Sequence, residues 1–153
     1  MLKFVLLVHA AATLYMVGLI WFVQVVHYPL FDGVGAGGFA EYETRHARRT
    51  TWVVLPPMVV ELATAVWLVA QRDALGSWWG REGAGGLPWV GLGALLMVWA
   101  VTFGLSVPQH VKLAGGFDAG AHRVLTETNW LRTAGWTVRG GVVLWMLGRG
   151  MRP

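Results

Sequence analysis

The stretch from Phe4 to Val26 carries no formal charge and only two strongly polar residues, His9 and Gln24. A helix needs about 20 such residues to cross the hydrocarbon core of a bilayer, and this run is long enough. A secretory signal would have a shorter apolar region followed by small residues at a cleavage site. Here the apolar character continues into Trp21-Phe22-Val23, so the reading is a retained helix. Three further apolar stretches follow, and the expected spans are about 4–28, 47–71, 87–108 and 124–148. The fold expected is all-α, a four-helix transmembrane bundle forming one integral membrane domain over residues 1–153.

Composition agrees. Charged residues make up 13% of the 153 and hydrophobic residues 56%, against roughly 25% charged in an ordinary soluble domain. The absence of cysteine removes disulfides, thiolate metal sites and iron–sulfur clusters from consideration. A net charge of +4 and a pI near 10.1 would suit nucleic acid in a soluble protein. Here the cations flank apolar segments, so lipid headgroups are the expected counter-ions and nucleic acid is not expected as a partner.

The connections follow from glycine and proline. Asp32–Gly38 and Arg72–Gly86 read as loops, with Trp78, Trp79 and Trp89 as an interfacial belt. Pro108 reads as the end or a kink of the third helix, Gly115-Gly116 as the next turn, and Asp118 as the cap of the fourth helix. The second helix, from about Ala40 to Gln71, would be ~48 Å long at 1.5 Å per residue and protrude from one face. Pro56-Pro57 is expected to kink it, and Ala100-x-x-x-Gly104 to mark a close helix contact. Val-His-Tyr-Pro29 before Gly37-Gly38-Phe39, and Val107-Pro108 before Gly115-Gly116-Phe117, suggest two related helical hairpins. Four crossings place both termini on one side. Lys3, Arg72, Arg81, Arg149 and Arg152 then oppose Arg45, Arg48, Arg49, Lys112 and Arg123, a tie under the positive-inside rule. Glu41, Glu43, Asp118 and Glu127 on the second side tip the reading toward cytoplasmic termini.

The polar residues gather in two groups. Gln24, Tyr28, Tyr42, His46, Arg49, His110, His122, Asn129 and Arg132 fall near one membrane face. Tyr42, His46 and Arg49 share one helix face, as do Asn129, Arg132, Trp136 and Arg139. Lipid cannot solvate such faces, so they turn inward and define a His/Arg-rich pocket for a small anionic or apolar ligand. Neutral imidazoles also admit haem or a metal, with His46 and His122 the best pair because the repeat relates them. Deeper lie Glu61, Arg139 and His9, expected at one level as an ion pair with a neighbouring histidine, since an unpaired charge there costs at least ~2.5–3.5 kcal/mol.

The four-span layout with histidines near helix ends resembles small bacterial membrane families that carry haem or copper: the haem-dependent protoporphyrinogen oxidase of membranes and the copper-resistance D proteins. The likeness is one of topology and transfers no residue role. The function expected is a small multi-pass membrane protein that binds a ligand or redox cofactor in this pocket. The alternatives are a non-catalytic accessory subunit that meets a partner protein or a second copy, and a small transporter.

Overall fold

The computed structural model describes residues 1–78 and 86–150. It is an all-α bundle, with no strand among the described residues. Four long helices build it: α1 (Leu2–His27), α2 (Phe39–Ala70), α3 (Gly86–Leu113) and α4 (Ala119–Gly150). α1, α2 and α3 are each long and apolar enough to cross a membrane. α4 matches the 32 residues of α2 but carries Arg132 and Arg139.

Both odd-numbered helices widen into a π turn, at Val23–His27 in α1 and Thr102–Ser106 in α3. The cause is the proline that follows each. A proline ring collides with the carbonyl four residues back and donates no hydrogen bond to it. For Pro29 that carbonyl belongs to Val25, and for Pro108 to Gly104, the central residue of each π turn. The wider turn accommodates the ring, and Pro108 therefore does not end α3, which continues to Leu113. π turns recur at functional sites, and here they bury Gln24 and Ser106.

The element order thus repeats: an apolar helix, a π turn, a proline, then a 32-residue helix. Pro29 and Pro108 stand 79 positions apart, and Phe39 and Ala119, which begin the long helices, stand 80 apart. In this register His122 corresponds to Tyr42 and not to His46, which corrects the pairing expected from the Gly-Gly-Phe motifs.

Other connections also differ from expectation. Pro29–Val34 forms a 3-10 turn, so Asp32 and Gly33 are helical. Arg72–Trp78 is a short helix rather than loop. Trp79 and the Trp78 side chain, two-thirds of the expected aromatic belt, lie outside the described residues, while Trp89 is half exposed. α2 runs through Pro56-Pro57 as one α-helix. Asp118, by contrast, caps α4 as expected, its carboxylate accepting from the Ala121 N–H at 2.6 Å.

The core alternates along the bundle axis. Apolar layers form around Phe31, Phe39 and Leu125 at one end, Met16, Met58 and Trp136 in the middle, and Leu6, Leu68 and Met146 at the other end. Between them lie two polar layers, and both α2 and α4 contribute to each. Outward-facing side chains such as Phe4, Leu7, Val59, Val66, Leu96 and Leu144 are exposed. Glu43 and Glu61 are fully buried, and Arg139 is 1% exposed. Apolar outside and charged inside is the pattern lipid imposes.

Close packing occurs away from the expected stripe. Ala100 and Gly104 face outward. Gly135 instead lies against α3, where an added Cβ would stand 2.5 Å from Val98 Cγ2 and 2.8 Å from Met97 Cε. Gly135→Leu should therefore destabilise the protein by about 1–3 kcal/mol through overpacking. Gly141→Leu, with open space around its Cβ, should cost far less. Thermal unfolding in detergent would compare the two.

Candidate functional site

The deeper polar layer is a closed clasp. Arg139 Nε donates to Glu61 Oε1 at 2.8 Å, and Arg139 Nη1 donates to the Gly91 carbonyl. The Thr13 hydroxyl donates to Glu61 Oε1 at 2.8 Å, and the Trp136 indole N–H to Oε2 at 3.1 Å. α1, α2 and α4 therefore meet on one carboxylate, and α3 joins them through the Gly91 carbonyl on Arg139. His9 stands beside the clasp without joining it, its Nδ1 2.8 Å from Thr64 Oγ1. The space next to His9 and Arg139 is about 10 Å³, the room of a single water.

The layer toward the α2 and α4 N-termini is built differently. The π turn of α1 points Gln24 across the bundle, where its Nε2 donates to the Thr126 carbonyl and its Oε1 accepts from Asn129 Nδ2 at 2.9 Å. Asn129 in turn accepts from Arg132 Nη1 at 3.0 Å, and Ser106, on the π turn of α3, accepts from the same nitrogen at 3.4 Å. The Arg132 guanidinium lies over the Trp136 ring, 5.4 Å from its centroid. Trp136 is fully buried and fills the ground between this layer and the Glu61 clasp.

Beside this chain stands a second one. His110 Nδ1 is 2.6 Å from Glu43 Oε1, and His110 Nε2 is 3.0 Å from the Tyr28 hydroxyl. His46 Nδ1 is 3.0 Å from His27 Nε2 and 3.2 Å from Thr50 Oγ1. The His46 and His110 rings face each other at 5.5 Å between centroids. Three buried polar atoms of this layer have no hydrogen-bond partner: Glu43 Oε2, His46 Nε2 and Arg132 Nε. Buried polar atoms normally pair. Among the described residues two further atoms without a hydrogen-bond partner lie outside this layer, Trp99 Nε1 and Arg139 Nη2, and the latter keeps its ion pair with Glu61 at 2.7 Å, so most of the unspent valence gathers here and marks the layer as a candidate site.

A cleft of about 400 Å³ opens between α2 and α3 onto these groups. Its floor is polar, with Tyr28, His46, Thr50, Ser106, His110 and Arg132, and its walls are apolar, with Val54, Leu55, Met58, Phe103 and Val107. A second cavity of about 220 Å³ between α1 and α2 shares Tyr28, His46, Thr50, Val54 and Arg132 with it. Arg49 is exposed and lines the second cavity and an open surface pocket beside Tyr42 and His46, but not the cleft.

The expected site residues therefore divide. Tyr28, His46, His110 and Arg132 converge on the cleft. Gln24 and Asn129 hold Arg132 in place. Tyr42 stacks on His46 at 6.2 Å with the rings 10° from parallel. His122 is not among the residues lining the cleft: its ring stacks on Phe31 at 6.1 Å, and Phe31 also meets His46 edge-on at 5.2 Å. His122 Nε2 is instead 2.7 Å from the Tyr28 carbonyl, where it braces the turn after α1. His46 and His122 are thus turned to different partners. Among the described residues, the donor group compact enough for an ion is Glu43, His46 and His110. Glu43 is absent from the sequence-derived set. Its signal is Glu43-Thr44-Arg45-His46, a Glu-x-x-His spacing that puts both side chains on one helix face and that the sequence reading overlooked.

No family model, curated protein or solved structure matches the chain. The likeness to haem- and copper-carrying families remains one of layout.

The clasp predicts a double-mutant signature. Glu61→Ala should cost about 3–5 kcal/mol by stranding a buried guanidinium. Glu61→Leu combined with Arg139→Met should cost clearly less than the sum of the two single changes. Unfolding of the purified protein measures all of these.

Proposed function

We propose that this is a four-span membrane protein that binds a small amphipathic ligand in the cleft between α2 and α3. The ligand's polar head lies against Tyr28, His46, His110 and Arg132, and its apolar body against Val54, Met58, Phe103 and Val107. The observation that carries this reading is the unpaired Arg132 Nε on an otherwise fixed guanidinium at the floor of an apolar-walled cleft. Such a cation favours a head bearing an oxygen acceptor, a carboxylate or a quinone carbonyl. The cleft rim includes Leu55, Phe103 and Val111, which are exposed, so the ligand enters from the side, out of the lipid. Ligands of this kind partition into the bilayer, where a lateral opening meets them at high local concentration.

α4 is the fourth span. Its two inward arginines are neutralised or hydrogen-bonded within the bundle, which removes the charge penalty that its composition alone would carry. The chain has no native cysteine, so single-cysteine labelling reads topology without background. Lys3→Cys and Gly148→Cys should react with a membrane-impermeant maleimide from the same side. Reaction from opposite sides would mean three crossings.

Binding is tested with two probes, a fluorescent medium-chain fatty acid and a short-chain quinone, on the detergent-solubilised full chain. At least one should bind saturably, and Val107→Trp, which fills the cleft from an exposed position, should weaken it by about 10-fold or more, since even ~1.4 kcal/mol of lost contact gives that factor. Failure of both probes to saturate, or binding indifferent to Val107→Trp, would overturn the reading and favour an accessory role.

A further inference from the structure

Where the cleft meets α2, the chain also holds a donor set for a metal ion. We infer that Glu43, His46 and His110 bind a divalent first-row metal, zinc or ferrous iron, with at least one coordination position open to the cleft. The inference stands on the donors themselves and does not depend on the amphipathic ligand.

The ligand atoms of these three residues lie within 4.8 Å of one another. Metal–ligand bonds of about 2.0–2.2 Å place two donors of one tetrahedral ion ~3.4 Å apart, so the set has to close by at most about 1.4 Å, within the reach of side-chain rotation. Two of the donors are already unspent. Glu43 Oε2 and His46 Nε2 are buried without hydrogen-bond partners, and Glu43 is fully buried. A carboxylate oxygen and an imidazole nitrogen left bare in one layer carry a desolvation cost that an ion would repay.

The surroundings are arranged as outer partners usually are. A ligating histidine donates its other ring N–H to a fixed acceptor, which sets the tautomer. With His46 Nδ1 donating to His27 Nε2, 3.0 Å away, the lone pair falls on Nε2. His110 is held on one side by Glu43 and on the other by Tyr28, and metal binding replaces the proton on whichever nitrogen ligates. Two histidines and one carboxylate are a donor set that suits zinc with an open position and non-haem ferrous iron alike. Soft copper(I) is disfavoured because no thiolate or thioether is in the set. His46 and His110 line the cleft, which gives the ion a way in and leaves the open position facing a ligand.

The test uses Co²⁺ as a coloured stand-in on the detergent-solubilised full chain stripped with chelator, followed by Zn²⁺ and Fe²⁺ competition. One equivalent should bind with visible ligand-field absorption. Glu43→Gln and His46→Gln should each weaken binding by more than the ~10–100-fold typical of losing an outer partner, and His27→Ala by about that outer-partner amount. His122→Gln should leave affinity unchanged, because its ring is turned to the Tyr28 carbonyl and is not in the donor group. Helicity by circular dichroism identifies any variant that fails to fold. For such a variant the wild-type unfolding midpoint is read instead, and it should rise with Zn²⁺ concentration. Absence of saturable Co²⁺ and Zn²⁺ binding in the wild type, or binding that survives both Glu43→Gln and His46→Gln in folded protein, would overturn the inference. Val107→Trp separates this result from the cleft reading, since it blocks the apolar walls and spares the metal donors.

Discussion

Hydrocarbon solvates neither a charge nor an unpaired polar group, and that constraint organises the whole molecule. A chain with three strongly apolar helices still carries Glu43 and Glu61 on one of them, α2, and Arg132 and Arg139 on α4. Each of these charges has to find its partner inside. The result is a stack in which apolar layers alternate with polar ones, and Leu, Val and Phe side chains cover the outside. The two polar layers solve the same problem in opposite ways. Around Glu61 the carboxylate oxygens are consumed by Thr13 of α1 and by Trp136 and Arg139 of α4, and the space left is the size of one water. Around Glu43 and Arg132 hydrogen-bonding capacity is left over, and a cleft leads to it. The first layer holds the helices together. The second has room and valence for something else.

The prolines make the second layer possible. Pro29 and Pro108 force π turns in α1 and α3 at matching positions of the repeat, and these turns bury Gln24 and Ser106. Those two side chains, with Asn129, hold Arg132 at the cleft floor. A local backbone accommodation is thereby turned into the positioning of a cation. This is also why the two halves share an architecture but not a chemistry: the α1 turn supplies Gln24 and His27, while the matching α3 turn supplies Phe103 and Ser106.

Much of this is legible in the sequence. The apolar runs define the bundle, and the length of α2 follows from where polar residues resume. The grouping of Tyr28, His46, His110 and Arg132 follows from helical spacing and the exclusion of polar groups from lipid, as does the depth match of Glu61 and Arg139. What spacing misses is side-chain direction. His122 and His46 both contact Phe31, yet His122 turns to the Tyr28 carbonyl, and no periodicity reports that choice of partner. The π turns were hidden for a related reason, because a proline reads as a break until the widened turn before it is seen. Glu43 was open to detection through its Glu-x-x-His spacing, but its neighbours Glu41 and Arg45 form an exposed pair and give the segment the look of a solvated helix end.

The account's central claim is that one buried carboxylate is committed to structure and the other is held open for binding. Unfolding midpoints of Glu61→Gln and Glu43→Gln, measured side by side in the same detergent without added metal, test it most directly. Glu61→Gln should lose about 3–5 kcal/mol, because Arg139 is left as a buried unpaired charge. Glu43→Gln should stay within about 1 kcal/mol of the parent or exceed it, as binding groups kept at a cost to stability do. Equal losses, or a larger loss at Glu43, would contradict the claim and make both layers structural.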